Sequence, residues 1–579
     1  MRGGAARVHG PAARYLSTLF ALCILGWAVP ALLMLNRGFA IEDEGTYVLS
    51  YRFWSSNPYF VSGSQFLYGP VFEALGESIP ALRLLRLVMV VGANAWFARS
   101  FLAWLEVQRP GLLPAPRACL SLLLVAAGGM AYLWTPLTPG YYDLTADASL
   151  ALASLLLLTL VRAPSPPPWV PLLTGVVGVA LALTKWTALP VLVLTVGIAF
   201  YCLARASRPT ALRYAGLVAV GAAVTLVGCQ VFVVSLAGYV RTLAKVSSLT
   251  AVGSHSMAYL AGRNLDDTLT ALAGALLLGL PLLGGLLVAR VQARRGSHRA
   301  AQAWVIGAAV VSAAVVPFAL GWHGGDDRGR VVIDIALAAL LTAALAALVP
   351  GPRSLPGGVS GRLVAVTLLL VPFAQAAGTN VPVLYVAFEC LAMWVALVLM
   401  ATTRADCPTL TTKVVLADLS ALVVLTALIC GSTTIATPFK TSGLTDATAG
   451  VPPLGVDVTP AVAGQYEALD QALASYVHRG STPVFAMDQN AGLTYLVGGV
   501  PAGSTWNDGA SPTRTGGILA LACRHGDVRA APVLLLSRRV DPDVARALDG
   551  CGFGYPQGYR RLAVPGGPAH LVVMVPRGG

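Results

Sequence analysis

From residue 15 to residue 435, apolar runs about 17 to 25 residues long alternate with short connectors that carry Arg, Pro or Gly. A run of that length crosses a bilayer as an α-helix, because only a helix satisfies its own backbone in lipid. The pattern predicts about 13 spans, near 15–35, 80–105, 117–136, 144–162, 169–184, 187–204, 214–236, 267–289, 302–320, 331–350, 362–377, 383–401 and 415–435. From Thr441 onward the pattern changes to short segments in which strand-like and helix-like stretches alternate. Strands are expected at Pro483–Met487, Val533–Ser537, Arg561–Val564 and Leu571–Val575. Helices are expected near Tyr466–Val477, Gly516–Ala522 and Val544–Leu548, with a helix or turn at 492–497. The expected fold class is therefore a polytopic α-helical membrane protein, residues 1–438, followed by a C-terminal α/β domain, residues 439–579.

The connector 36–79, between the first two spans, is roughly forty residues long, far beyond a usual interhelical turn. Its Tyr47, Tyr51 and Trp54 fall on one helical stripe, which predicts an interfacial helix lying among the lipid headgroups. A second short helix is expected to start at Pro70 and to bury Val71, Phe72 and Leu75. The acidic triplet Glu42, Asp43 and Glu44 stands at the start of the first of these helices, where carboxylates are stabilised in the charged form.

Composition supports the membrane reading: the 579 residues are 56% hydrophobic and 11% charged, against about 25% charged in soluble domains. Mean hydropathy is +0.72. The net charge of +13 does not point to nucleic acid, since 440–579 carries 11 basic and 10 acidic residues. The excess sits in alternate connectors, among them Arg2 to Arg14, Arg205 to Arg213 and Arg290 to Arg299. These connectors face the cytoplasm by the positive-inside rule. The N-terminus is then cytoplasmic, while the loops 36–79, 137–143, 238–266, 321–330 and 378–382 and the C-terminal domain lie outside the cytoplasmic membrane. There Cys523 and Cys551 are a candidate disulfide, with two buried thiols as the alternative. The first apolar run is longer than a signal-peptide core and reads as a retained anchor.

No phosphate-binding loop, dinucleotide fingerprint or zinc spacing occurs. The residues that carry chemistry are the acids and cations of the outer loops. Asp143, in Pro139-Gly140-Tyr141-Tyr142-Asp143, is a candidate for acceptor or metal binding and equally an N-cap of the fourth span. Lys185 is a lone charge between two apolar spans, read either as a phosphate contact or as snorkelling. Arg241, Arg263, Arg328 and Arg330, with Lys245, are further phosphate candidates beside plain ion-pair roles. His255 and His323 lack the spacing of a metal site.

Asp43-Glu44-Gly45-Thr46-Tyr47, Asn57-Pro58-Tyr59, Tyr68-Gly69-Pro70 and Ala81-Leu82-Arg83-Leu84-Leu85-Arg86 together resemble the first extracytoplasmic loop of GT-C superfamily glycosyltransferases. The similarity is to bacterial members related to protein mannosyltransferases and to the lipid A aminoarabinose transferase. Thr184-Lys185-Trp186-Thr187 is similar to the family's Thr-Lys turn, and residues 492–499 resemble a segment of its exported domain. The resemblance implies a polyprenyl-phosphate sugar donor and a glycan, lipid or protein acceptor, with the site open to membrane lipids. It also implies Asp43 as the base, with Glu44 beside it positioning the acceptor or, with Glu42, a divalent cation. General-base removal of the acceptor proton and cationic support for the leaving phosphate are what such transfer needs. Two other readings stand beside it: a flippase for lipid-linked glycans and a non-catalytic scaffold of envelope assembly. The flippase predicts charges deep in several spans, where only Asp334, Glu389 and Asp418 are embedded.

Overall fold

A computed structural model describes residues 10–59, 62–250, 256–295, 297, 300, 303–304, 328–348, 356–379, 381–403, 409–436, 446–488, 490–507, 511–537 and 540–577. Apart from 303–304, the helix expected over 302–320 lies outside the described residues, as do His255 and His323. The membrane part begins with α1 (Pro11–Leu33), followed by the loop helices α2 (Asp43–Arg52) and α3 (Gln65–Ala74). Then come α4 (Ile79–Gln108), α5 (Arg117–Ala127), α6 (Tyr141–Val161), α7 (Trp169–Thr184), α8 (Leu189–Ala206), α9 (Arg208–Phe232), α10 (Leu236–Thr250) and α11 (Met257–Arg294). It closes with α12 (Arg328–Leu348), α13 (Gly358–Ala376), α14 (Val383–Ala387), α15 (Leu391–Thr402) and α16 (Thr409–Ala436).

Among the described residues, eight helices are long and apolar enough to cross a bilayer, and three shorter apolar helices accompany them. Their large apolar side chains also point outward: Val193 is 70%, Val224 67% and Phe232 81% exposed. Aliphatic flanks of that extent are stable in lipid and not in water. The chain is thus a polytopic helical membrane protein. Its inner core runs through α1, α4, α5, α6, α13, α15 and α16, where Trp27 stacks on Tyr132 at 5.6 Å.

The C-terminal region holds α17 (Pro460–Leu473), α18 (Ala491–Leu496), α19 (Pro512–His525) and α20 (Pro542–Gly550) around a five-stranded sheet. The sheet order is β4-β3-β5-β7-β6. The strands β3 (Pro483–Ala486), β4 (Val500–Pro501) and β5 (Val533–Leu536) run parallel, while β7 (Val572–Pro576) is antiparallel to both β5 and β6 (Tyr559–Leu562). β4 and the small hairpin β1 (Ala449–Val451) and β2 (Val456–Val458) were not expected from the pattern; they are only two or three residues long. Cys523 and Cys551 are joined by a disulfide, with their Cα atoms 5.7 Å apart.

Two expectations for the outer loop are corrected. The Tyr47, Tyr51, Trp54 stripe does not lie among headgroups: Tyr51 is fully buried, donates to the Pro139 carbonyl at 2.7 Å, and packs on Tyr68 and Phe72. The second helix starts five residues before Pro70, at Gln65, and carries the proline inside it. Its phase therefore buries Phe72 and leaves Val71 and Leu75 each 38% exposed.

The loop and the C-terminal domain share one core. Phe39, Val48, Leu49, Tyr51 and Phe72 pack with Val456, Leu469, Leu493, Val533 and Val575. At the tightest point a Cβ on Gly45 of α2 would stand 2.4 Å from the backbone nitrogen of Gly492 in α18, so only glycine permits the approach. The chain is sewn there by Gly492 N–H to the Ile41 carbonyl (2.8 Å), Gly38 N–H to the Asp457 carbonyl (2.8 Å) and Asp457 N–H to the Asn36 carbonyl (2.7 Å). The first loop and the C-terminal domain accordingly lie on the same side of the membrane.

Candidate functional site

Two arginines one turn apart on α4 organise this face. Arg83, 3% exposed, grips Glu44 through Nε (2.9 Å) and Nη2 (2.8 Å). The same guanidinium donates to the carbonyls of Met34, Leu35, Arg37 and Gly38. Those carbonyls belong to the segment that follows α1, so the guanidinium fixes the path by which the chain leaves that helix. Arg86, fully buried, holds Asp143 at 2.7 Å and donates to the carbonyls of Pro136 and Ala131, while its plane lies 4.4 Å from the Tyr132 ring centre.

Glu44 is consequently committed. Burial alone would raise its pKa, but Arg83, with hydrogen bonds from Thr138 and the Ala40 N–H, holds it below the ordinary glutamate range. Asp143 is committed as well: its second oxygen accepts the Gly140 N–H at 2.8 Å, capping α6. These acids therefore do not fit a divalent cation. Among the described residues no group of three or more His, Cys, Asp or Glu is placed to hold one.

Asp43 differs from both neighbours. It opens α2, is half-buried, and among the described residues makes no hydrogen bond or ion pair. Burial raises its pKa, and for Glu42, which is exposed, burial and then the Asp43 charge act in the same direction. A partly desolvated, reachable, unpaired carboxylate is a competent proton acceptor.

An aromatic wall leads from α2 to the buried Lys185. Tyr47, one turn along α2 from Asp43, meets the Tyr141 ring edge-on at 6.3 Å, and Tyr141 lies on Tyr142 at 4.0 Å. Gly140 makes room: a Cβ there would come within 2.6 Å of the Tyr47 ring. Beyond Tyr142, whose hydroxyl is 2.8 Å from the Thr379 hydroxyl, stands Lys185. Its Nζ is 5.5 Å from the Tyr142 ring centre and donates to the Gln375 carbonyl at 2.9 Å. Lys185 is 7% exposed, so it does not snorkel.

The other cations stand apart from this wall. Arg263 pairs with Asp267 at 3.7 Å, and Arg330 reaches the same carboxylate at 4.0 Å. Arg241 is exposed and donates to the Ala237 carbonyl of its own helix. The Arg328 side chain is outside the described residues.

Two features here go beyond the sequence reading. Asp147 and Glu389 lie beside the cluster, with one and both carboxylate oxygens respectively buried and lacking a hydrogen-bond partner among the described residues. Asp147 was legible as sharing the acceptor, metal or capping role of Asp143, and Glu389 as an embedded charge; their company was not. Nearby, α7, α8, α9 and α10 line a half-open apolar cavity of about 340 Å³, with Gly175, Gly178, Leu183, Leu192, Ala222 and Tyr239 in its walls. The Tyr239 hydroxyl donates to the Leu183 carbonyl, two residues before Lys185.

The chain matches no protein-family model and no curated protein.

Proposed function

We propose that this protein is a membrane glycosyltransferase of the GT-C type, with about 13 spans. It moves a sugar from a polyprenyl-phosphate carrier to an acceptor hydroxyl on the outer face of the cytoplasmic membrane. One observation carries the reading: Glu44 and Asp143 are consumed by arginines, whereas Asp43, at the start of α2, makes no hydrogen bond or ion pair among the described residues. Asp43 takes the acceptor proton as the hydroxyl oxygen attacks the anomeric carbon, and the carbon to phosphate-oxygen bond breaks. Lys185 supports the charge that collects on the leaving phosphate. The tyrosine wall between them is a surface on which a sugar ring can lie. The cavity under α10 suits the carrier's hydrocarbon chain. The disulfide supports an extracytoplasmic C-terminal domain, since such bonds persist in oxidising compartments.

A flippase is favoured by a separate observation, the unpartnered acids Asp147 and Glu389 within membrane helices, because intramembrane acids mark transport paths as well as active sites. Purified protein in nanodiscs and in sealed vesicles, given radiolabelled polyprenyl-phosphate sugar and envelope extract, separates the two. Label transferred to an acceptor, and lost in Asp43→Asn, is expected. Label that crosses the vesicle without transfer would replace the transferase by the flippase.

A further inference from the structure

The C-terminal sheet concentrates its polar side chains at one place. β3, β4 and β5 are parallel and their interiors are apolar: Val484, Phe485, Leu534 and Leu535 are fully buried. At their carboxyl ends the chain turns polar, with Asp488 and Asn490 after β3, Asn507 after β4 and Ser537 after β5. Because β4 and β5 leave β3 on opposite sides, this is the point where strand order reverses, the usual ligand crevice of an open α/β sheet.

The amides there are oriented. Asn490 Nδ2 donates to the Met487 carbonyl and to Ser537 Oγ, both at 2.8 Å, and Asn507 Nδ2 donates to the Ala486 carbonyl at 3.1 Å. The Asn507 side chain is thereby fixed across the mouth of β3. Its Oδ1 is buried, with the residue 6% exposed, and has no hydrogen-bond partner among the described residues. A buried amide oxygen left unpaired costs free energy that a donor on a ligand would recover. Beside it the Trp506 ring is half-buried, with the Arg514 guanidinium 4.7 Å from its centre. An indole platform next to fixed amides and a hydroxyl is chemistry for a neutral, hydroxyl-rich ring.

The crevice is tied to the proposed base. Ser50 and Thr505 hydroxyls are 2.7 Å apart, and Asn57 Nδ2 donates to the Gly503 carbonyl at 2.9 Å. Ser50 is on α2, seven residues from Asp43, a distance of about 10 Å at the helical rise.

We propose that this crevice binds saccharide and that the acceptor is a glycan chain. Inner sugars rest on Trp506 and Asn507 while a terminal hydroxyl reaches Asp43. The glycan-acceptor part rests on the transferase reading; saccharide binding does not.

The test is saturation-transfer NMR on the full chain in nanodiscs with mannotriose, maltotriose, arabinotriose and inorganic phosphate as separate probes. At least one trisaccharide is expected to bind the wild-type protein. Its affinity should fall about tenfold in Trp506→Ala and in Asn507→Asp and be largely kept in Trp506→Phe. Trp506→Phe guards against a misfolded alanine variant. Binding of phosphate alone, of no trisaccharide, or of a trisaccharide indifferent to both positions would overturn the crevice. Trisaccharide binding by a protein that transfers no sugar would sustain the crevice and remove the transferase.

Discussion

The floor and the rim of the site are built from the same kinds of residue and treat them oppositely. On the floor, Arg83 and Arg86 are matched to Glu44 and Asp143 in pairs whose side chains are at most 2% exposed. Each guanidinium also satisfies backbone carbonyls. On the rim, Asp43 adjoins Glu44 in sequence and has none of these partners. Burying both charges of a pair with every donor satisfied yields rigidity, whereas burying one charge alone yields reactivity. Neighbouring acids therefore divide into one that holds the loop against α4 and one that is free to take a proton.

The largest effect should come from breaking the floor. Arg86→Met leaves Asp143 charged and buried, which typically costs about 3–5 kcal/mol, and little folded protein is expected by fluorescence-detected gel filtration. Arg86→Met with Asp143→Leu removes both charges and should recover most of the yield. If the double variant folds no better than the single one, the pair is not what stabilises this region.

Changing the rim should leave folding intact and remove activity. Asp43→Asn is expected to lower transfer at least 100-fold, the usual scale of general-base help, with donor binding unchanged. Turnover above about a tenth of wild type would take Asp43 out of the base role.

A smaller effect belongs to the seam between loop and C-terminal domain. Gly45→Ala places a methyl 2.4 Å from Gly492 nitrogen, against backbone that has no rotamer to yield, and should cost about 1–3 kcal/mol. Faster hydrogen exchange in residues 38–52 and 490–497 is the expected signature. Unchanged exchange there would mean that the two parts are not locked at this glycine.

Most helices of the membrane part were legible because apolar length needs no tertiary context. In the C-terminal region, β3, β5 and β7 follow their apolar pattern, each within one or two residues of expectation. The outer loop was misread for a physical reason. An aromatic stripe such as Tyr47, Tyr51, Trp54 records only that one face is apolar, and lipid and the packing offered by α3 and residues 139–141 satisfy it equally. The candidate site was half legible. Asp43 and Lys185 stand out locally, but which acids Arg83 and Arg86 neutralise depends on pairings 39 and 57 residues apart along the chain. Periodicity does not encode such pairings.

The smallest and most discriminating prediction sets Asp43 against Glu44 as pH changes. Glu44 has a folded-state pKa below its unfolded value of about 4.3. Its stabilisation is therefore complete above that value and is lost as pH falls through the folded one. Asp43 has a folded-state pKa above its unfolded value of about 3.9. Ionising it in place opposes folding, so its contribution is most favourable below that value and is lost as pH rises through the folded one. At neutral pH, Glu44→Gln should lower the unfolding temperature and Asp43→Asn should raise it slightly, and both differences should shrink toward acid pH. The same raised pKa places the acid limb of transfer above that of an ordinary aspartate. Two substitutions at adjacent positions that shift stability in the same direction at neutral pH would show that floor and rim are not distinguished by their charge environments, and the assignment of the proton to Asp43 would lose its physical basis.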